Sequence, residues 1–213
     1  MGKLLRSLLA SLLLLPATGS FAAAPAATPL DDFLGQMKTL RAEFSQTVTD
    51  GKGETVQNAE GKLVIVRPGK FRWELTPQGN PSAQLMIADG KNLWFYDRDL
   101  EQVSVKPANV LTATPASLLS GAGDVRTLFT VTPAGKRDGL DFVKVVPKQG
   151  DADFREAQLG FTRGELKRMV LKDKLGQTVR LDFRTSERNV AVADTEVRFT
   201  PPAGADLIGT PAP

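Results

Sequence analysis

Apolar positions change their spacing along the chain, and each change marks a different element. Phe33, Leu34, Met37 and Leu40 recur at helical intervals, with Asp31 and Asp32 in the first turn where carboxylates suit the helix dipole. The spacing predicts an amphipathic helix over about residues 30–41. Beyond it, apolar and polar residues alternate. "EFSQTVTDGKGETVQ" reads as a strand, a glycine-containing turn at residues 50–53 and a returning strand. Further strands are expected at "KLVIV", "KFRWELT", "AQLMIAD", "NLWFYD" and "QVSVK". Turn signals separate them at Pro68-Gly69, at Gly79-Asn80-Pro81, at Asp89-Gly90 and across residues 97–99, the rhythm of an antiparallel meander.

Between Pro107 and Asp124 the alternation stops. Thr114-Pro115 offers a helix start, Leu118 and Leu119 a short apolar stretch, and Gly121 and Gly123 a stop, so one or two short helices are expected. Strands resume at "LFTVTP", "LDFVKVVP", "FREAQLGFT", "ELKRMVLKD" and "TVRLDFRT", with a last short one at "TEVRFTPP". The cleanest alternation sets Val179, Leu181 and Phe183 against Arg180, Asp182 and Arg184. The expected fold is therefore mainly β with a few α-helices: about eleven antiparallel strands in one sheet. So large a sheet must curl, split or close. With too few helices to cover it flat, a curved sheet wrapped around them is the economical arrangement, the helices serving as plug or lid.

The first residues change what the fold has to explain. Lys3 and Arg6 precede the apolar run "LLASLLLL", and small residues follow up to Ala24, the three-part pattern of a secretory signal. Residues 1–22 are read as the leader, cleaved after Ala22 or alternatively Ala24, and residues 23–213 as a single exported domain. The run is too short to anchor the chain in a bilayer. Counted whole, 27 Lys and Arg against 24 Asp and Glu give a net charge of +3, but Lys3 and Arg6 leave with the leader. The remainder is nearly neutral with its signs interspersed, which argues against nucleic-acid binding.

Catalytic candidates are few. The chain has neither histidine nor cysteine, which removes zinc sites and nucleophilic triads built on them, and any disulfide. Asp97 with Asp99, and Asp151 with Asp153, are spaced like turn carboxylates; "DADFRE" lacks the glycine and terminal glutamate of a calcium loop. No enzyme activity, metal or cofactor is expected. The apolar strand residues Phe71, Trp73, Leu75, Leu85, Ile87, Leu93, Trp94, Phe95, Tyr96, Val103 and Val105 would serve equally as an ordinary core or as the lining of a lipid cavity.

The segments "RAEFSQTVTDGKG", "VRPGKFRWEL", "ADGKNLWFYDRDLEQVSV", the Thr114-Pro115 helix and "RFTPPAGADLI" follow one another from about Leu30 to Ile208. In that order, behind a leader and without a cysteine to lipidate, they resemble the periplasmic outer-membrane lipoprotein carrier (LolA) family. The resemblance implies an incomplete, half-open antiparallel β-barrel with a helical lid over a hydrophobic cavity, located in the periplasm. It implies acylated lipoproteins as cargo, an ATP-driven inner-membrane ABC transporter as donor, and an outer-membrane lipoprotein receptor, if present, as acceptor. A monomer is expected. Trp73, Leu75, Leu85, Ile87, Trp94, Tyr96 and Val103 are then expected to line the acyl-chain cavity. Arg67 is expected to latch the lid through backbone acceptors near Leu34 on the first helix and near Leu119 or Ser120 on the inserted one, and Phe71 to dock against the transporter. The inserted "TPASLLSG" is less bulky than the family pattern. A related half-barrel protein that binds acylated ligands without shuttling them, such as a periplasmic sensor, is the alternative; a lipid-anchored receptor would need a cysteine after its leader.

Overall fold

A computed structural model describes residues 26–80, 82–108, 115–121, 125–148 and 154–213. The expectations for the leader, Thr114, Gly123, Asp151 and Asp153 lie outside the described residues. After helix α1 (Pro29–Gln36) come strands β1 (Thr39–Thr49), β2 (Thr55–Val66), β3 (Lys70–Pro77), β4 (Gln84–Ala88), β5 (Asn92–Asp97) and β6 (Gln102–Pro107). Helices α2 (Pro115–Ser120) and α3 (Val125–Leu128) follow, then β7 (Phe129–Arg137), β8 (Leu140–Pro147), β9 (Phe154–Thr162), β10 (Glu165–Asp173) and β11 (Thr178–Arg188). A 3-10 turn at Asp194–Val197 and β12 (Asp206–Ile208) complete the described chain.

The twelve strands form one open sheet in the order β12-β6-β5-β4-β3-β2-β1-β11-β10-β9-β8-β7. Every pairing is antiparallel except β12 with β6. The mainly-β expectation with few helices stands, and so does the open sheet. The returning strand after the first turn and "KLVIV" merge into the single β2.

One buried cluster joins α1 and α2 to inward residues running from β3 to β8: Phe33, Leu118 and Leu119 meet Phe44, Leu63, Ile65, Phe71, Trp73, Val143, Phe161 and Leu181. A single cluster reaching that far across the sheet requires the sheet to wrap around its helices. Gly61 permits the tightest part of this packing. A Cβ there would fall 2.0 Å from Phe44 Cζ, so only glycine lets the Phe44 ring lie flat on β2, where it meets Trp73 at 4.5 Å and Phe183 at 5.9 Å between ring centroids.

Two expectations fail. The first helix ends at Gln36, not near residue 41, because Met37 is already extended (φ −89°, ψ 119°). Asn189 fixes that break from far along the chain: its side chain accepts from Lys38 N at 2.7 Å and donates to Gln36 O at 3.0 Å. From Thr39 onward the backbone pairs with β2 and soon with β11 as well, which outweighs the local helical periodicity. Likewise "TEVRFTPP" is not a strand. Residues 194–197 form the 3-10 turn, and the following segment lays Phe199 against Trp94 and Tyr96 at 5.6 and 5.9 Å on the outer face before β12 pairs with β6.

Candidate functional site

Cross-strand register decides which apolar side chains share the helical side of the sheet. Phe71 pairs with Ile65 and Ala88, Trp73 with Leu63 and Met86, and Met86 with Phe95, so these alternate positions project together under α1 and α2. Of the residues expected to line a cavity, Trp73 and Leu75 lie on this inner face. The other five do not: Leu85, Ile87, Trp94, Tyr96 and Val103 belong to a separate cluster with Val105, Phe199 and Ala205 on the opposite face. They are an ordinary outer core beneath the C-terminal segment. Their in-strand neighbours Met86, Ala88, Leu93 and Phe95 take the inner positions instead. Asp89 shows why Trp94 turns outward: its carboxylate accepts the indole N–H at 2.8 Å and the backbone N–H of Lys91 and Asn92 at 2.9 and 2.8 Å. Burial alone would raise the Asp89 pKa, but these donors hold it below the ordinary value.

The inner face is not covered evenly. Near the β2–β3 turn the apolar side chains are buried, whereas Leu75, Met86, Phe95, Val125 and Val179 are only partly so. Leu75 and Val179 sit at the ends of their strands remote from that turn. The helical cover is thus closed at one end of the sheet and thin at the other.

Arg67 stands at the closed end. Its backbone N–H donates to Lys38 O at 2.9 Å, and its Nη1 donates to Leu34 O and, at 3.4 Å, to Met37 O. The expected bond to the Leu34 region is therefore present. Its neighbour makes the bond to the inserted helix: Gly69 N donates to Ser120 O at 3.1 Å. Ser120 is fully buried, with its hydroxyl donating to Ser117 O at 3.2 Å, and Leu119 packs in the main core. The four residues expected to form the latch are together, with backbone supplying part of what the guanidinium was expected to supply. The peptide between Arg67 and Pro68 is cis.

Phe71 lies beside this latch at 0% exposure, against Ile65 and Ala88. A docking surface needs reachable atoms, and Phe71 offers none here: it is part of the core.

Sequence patterning missed a second tie. Arg126 of α3 grips Asp31 of α1 with Nε and Nη2 at 3.0 and 2.6 Å, and Nη2 also reaches Ala26 O at 3.2 Å. The same carboxylate caps α1, accepting from Thr28 N at 2.7 Å and Thr28 Oγ1 at 2.8 Å. The Arg126 hydrogen bond is the main reason the Asp31 carboxyl titrates below its ordinary value. An acidic residue at the third helical position was visible in the sequence; its partner, far along the chain, was not.

The outer face of β1–β3 is polar by contrast. Shallow grooves there are bordered by Arg41, Lys62, Arg72, Glu74 and Glu196, and Arg41 pairs with Glu196 at 2.9 Å. No group of metal-ligating side chains large enough to hold an ion occurs among the described residues, nor is any helix there long and apolar enough to cross a membrane.

The family model for outer membrane lipoprotein carrier protein LolA matches residues 35–200 of this chain. The chain belongs to the LolA family. It is 43% identical over 187 residues to an outer-membrane lipoprotein carrier protein of Dechloromonas aromatica (strain RCB), covering 87% of this chain and 88% of that one. It is 40% identical over 181 residues to a protein of the same name from Methylobacillus flagellatus, covering 84% and 87%. Among solved structures it is similar to a LolA superfamily protein from Nitrosomonas europaea, at 10% identity and a TM-score of 0.47, covering 83% of this chain and 99% of that one.

Proposed function

We propose that this protein is a periplasmic chaperone that takes up lipoproteins leaving the inner membrane, shields their acyl chains and delivers them to the outer membrane. The LolA relatives carry the name of that task, and the observation in this chain that supports it is the apolar inner face under a helical cover held by few polar contacts. An ATP-driven inner-membrane transporter is the proposed donor. An outer-membrane receptor is the proposed acceptor.

The physical problem is the water between two membranes. Each methylene buried from water is favourable by roughly 0.8 kcal/mol, so a lipoprotein with several acyl chains does not leave a bilayer unaided. A carrier needs an apolar surface large enough to replace the bilayer, yet a net affinity low enough to release its load. Both requirements are met when α1 and α2 occupy that surface in the empty protein. Incoming chains then displace favourable protein contacts, and the net affinity is the difference between two burials. Trp73, Leu75, Met86 and Phe95 are the proposed acyl contacts. Entry is proposed at the thinly covered end near Leu75 and Val179.

Arg67 sets the balance in this scheme. Its planar guanidinium presents donors in a fixed fork, so one nitrogen can serve both Leu34 O and Met37 O while the cover is seated. Breaking these bonds costs about 1.5–3 kcal/mol for a charged donor, a modest barrier that cargo can overcome and whose re-formation helps to expel it. The test is release of labelled lipoprotein from spheroplasts by purified leader-free protein, followed by transfer to outer-membrane vesicles. Stoichiometric release as a water-soluble complex is expected. No release above a buffer control would refute the carrier reading.

A further inference from the structure

Gly121 immediately follows α2 with φ +63°, the left-handed conformation that ends many helices and favours glycine. It also carries something a helix end does not require. A Cβ built on it would fall 2.4 Å from Arg67 Nη2, 2.5 Å from Nε and 2.7 Å from Cζ. Nη2 and Nε lie nearer than Cζ, so the Nε–Nη2 edge of the group is turned into the space that a side chain on Gly121 would fill. The remaining nitrogen, Nη1, donates to Leu34 O and Met37 O. Arg67 therefore hydrogen-bonds the end of α1 and sets its Nε–Nη2 edge against the end of α2, while the nearby Gly69 N–H holds Ser120 O at 3.1 Å.

We propose that Gly121 is a positioning residue of the latch: its missing side chain is the seat for the Arg67 guanidinium, and any side chain there holds the cover open. The proposal rests on the carrier reading for its biological meaning but not for its test. A methyl group at 121 cannot share space with the guanidinium. The backbone of Gly121 is tied through Ser120 O to Gly69 and cannot easily retreat, whereas the arginine side chain is flexible. The guanidinium would swing away, and Leu34 O and Met37 O would lose their donor. Left-handed strain alone would not do this. Gly139, in the β7–β8 turn, has φ +74° with nothing within 4 Å of a built Cβ, so Gly139→Ala imposes similar backbone strain away from the latch.

The chain has no cysteine, so one placed at Ala116, which is buried in α2, reports opening through its alkylation rate without any lipoprotein present. In Ala116→Cys protein, Gly121→Ala is expected to raise that rate on the order of tenfold, as loss of hydrogen bonds from a charged donor would. Arg67→Leu should do the same, and Gly139→Ala should leave the rate unchanged. In the Arg67→Leu background Gly121→Ala should add nothing, because its clash partner is gone. Equal rates for Gly121→Ala and Gly139→Ala would overturn the proposal, as would additive effects of Gly121→Ala and Arg67→Leu. If Gly121→Ala alone prevents folding, the double variant decides: a folded Arg67→Leu/Gly121→Ala protein supports the clash, and an unfolded one refutes it. Failure here with normal lipoprotein release would leave the carrier reading intact, and the converse result would separate the two claims.

Discussion

At the scale of single residues, alternate side chains of one strand have different roles, and sequence alone leaves their phase open. "NLWFYD" is apolar at four successive positions, so nothing in it says whether Leu93 and Phe95 or Trp94 and Tyr96 face the helices. Cross-strand pairing and the Asp89 hydrogen bond to Trp94 settle the choice, and both depend on folded neighbours. Arg67 was legible because an arginine beside the proline of a strand end fits the family motif; the fit of its guanidinium onto Gly121 depends on a close approach that only coordinates display. Arg67→Leu is expected to fold and to accept lipoprotein but to deliver it poorly, since nothing then recloses the cover; a transfer assay to outer-membrane vesicles checks this. Phe71→Glu is expected to destabilise the fold by at least about 3 kcal/mol in urea denaturation, because a carboxylate replaces a fully buried ring. That loss must be measured before any defect in transporter engagement is assigned to Phe71.

At the scale of elements, α1 is held at both ends by arginines from distant parts of the chain: Arg67 near its C-terminus and Arg126 near its N-terminus. The amphipathic spacing revealed the helix and its buried face, for Phe33, Leu34, Met37 and Leu40 are all buried. It overstated the length because Asn189, which bridges Gln36 and Lys38, is invisible to a local pattern. The C-terminal segment misled for a related reason. Phe199 looked like a strand residue but is an aromatic cover for Trp94, and β12 pairs parallel to β6, which no hairpin signal announces. Asp31→Ala removes both the cap and the Arg126 pair. It is expected to lower stability by about 1–2 kcal/mol and to speed hydrogen exchange of the first-turn amides of α1. Unchanged exchange would mean that the tie contributes nothing to seating the helix.

The whole molecule combines a rigid curled sheet with a cover fastened by a handful of polar contacts. Outer-face ion pairs serve the sheet. Glu156 lies between Lys144 at 2.9 Å and Lys172 at 3.2 Å, tying β8, β9 and β10. The Lys144 hydrogen bond is the main cause that lowers its carboxyl from 4.5 to about 2. Because the folded state holds the lower value, the stabilisation is present above the ordinary pKa and fades as pH falls through the folded one. Between pH 4.5 and about 2 the protein should therefore lose roughly 1 kcal/mol, after allowance for solvent screening, that Glu156→Gln does not lose. Denaturant titrations across that range compare the two.

If the protein carries acyl chains, they must lie on the helical side of the sheet, and neighbouring residues of β5 offer the sharpest comparison. Phe95 belongs to the inner cluster beneath the helices and Tyr96 to the outer cluster beneath Phe199. A photo-crosslinking benzoylphenylalanine at position 95 is expected to label the acyl chains of a released lipoprotein, while the same group at position 96 labels none. Crosslinks at 96 with none at 95 would mean that fatty tails bind elsewhere and that the latched cover guards nothing.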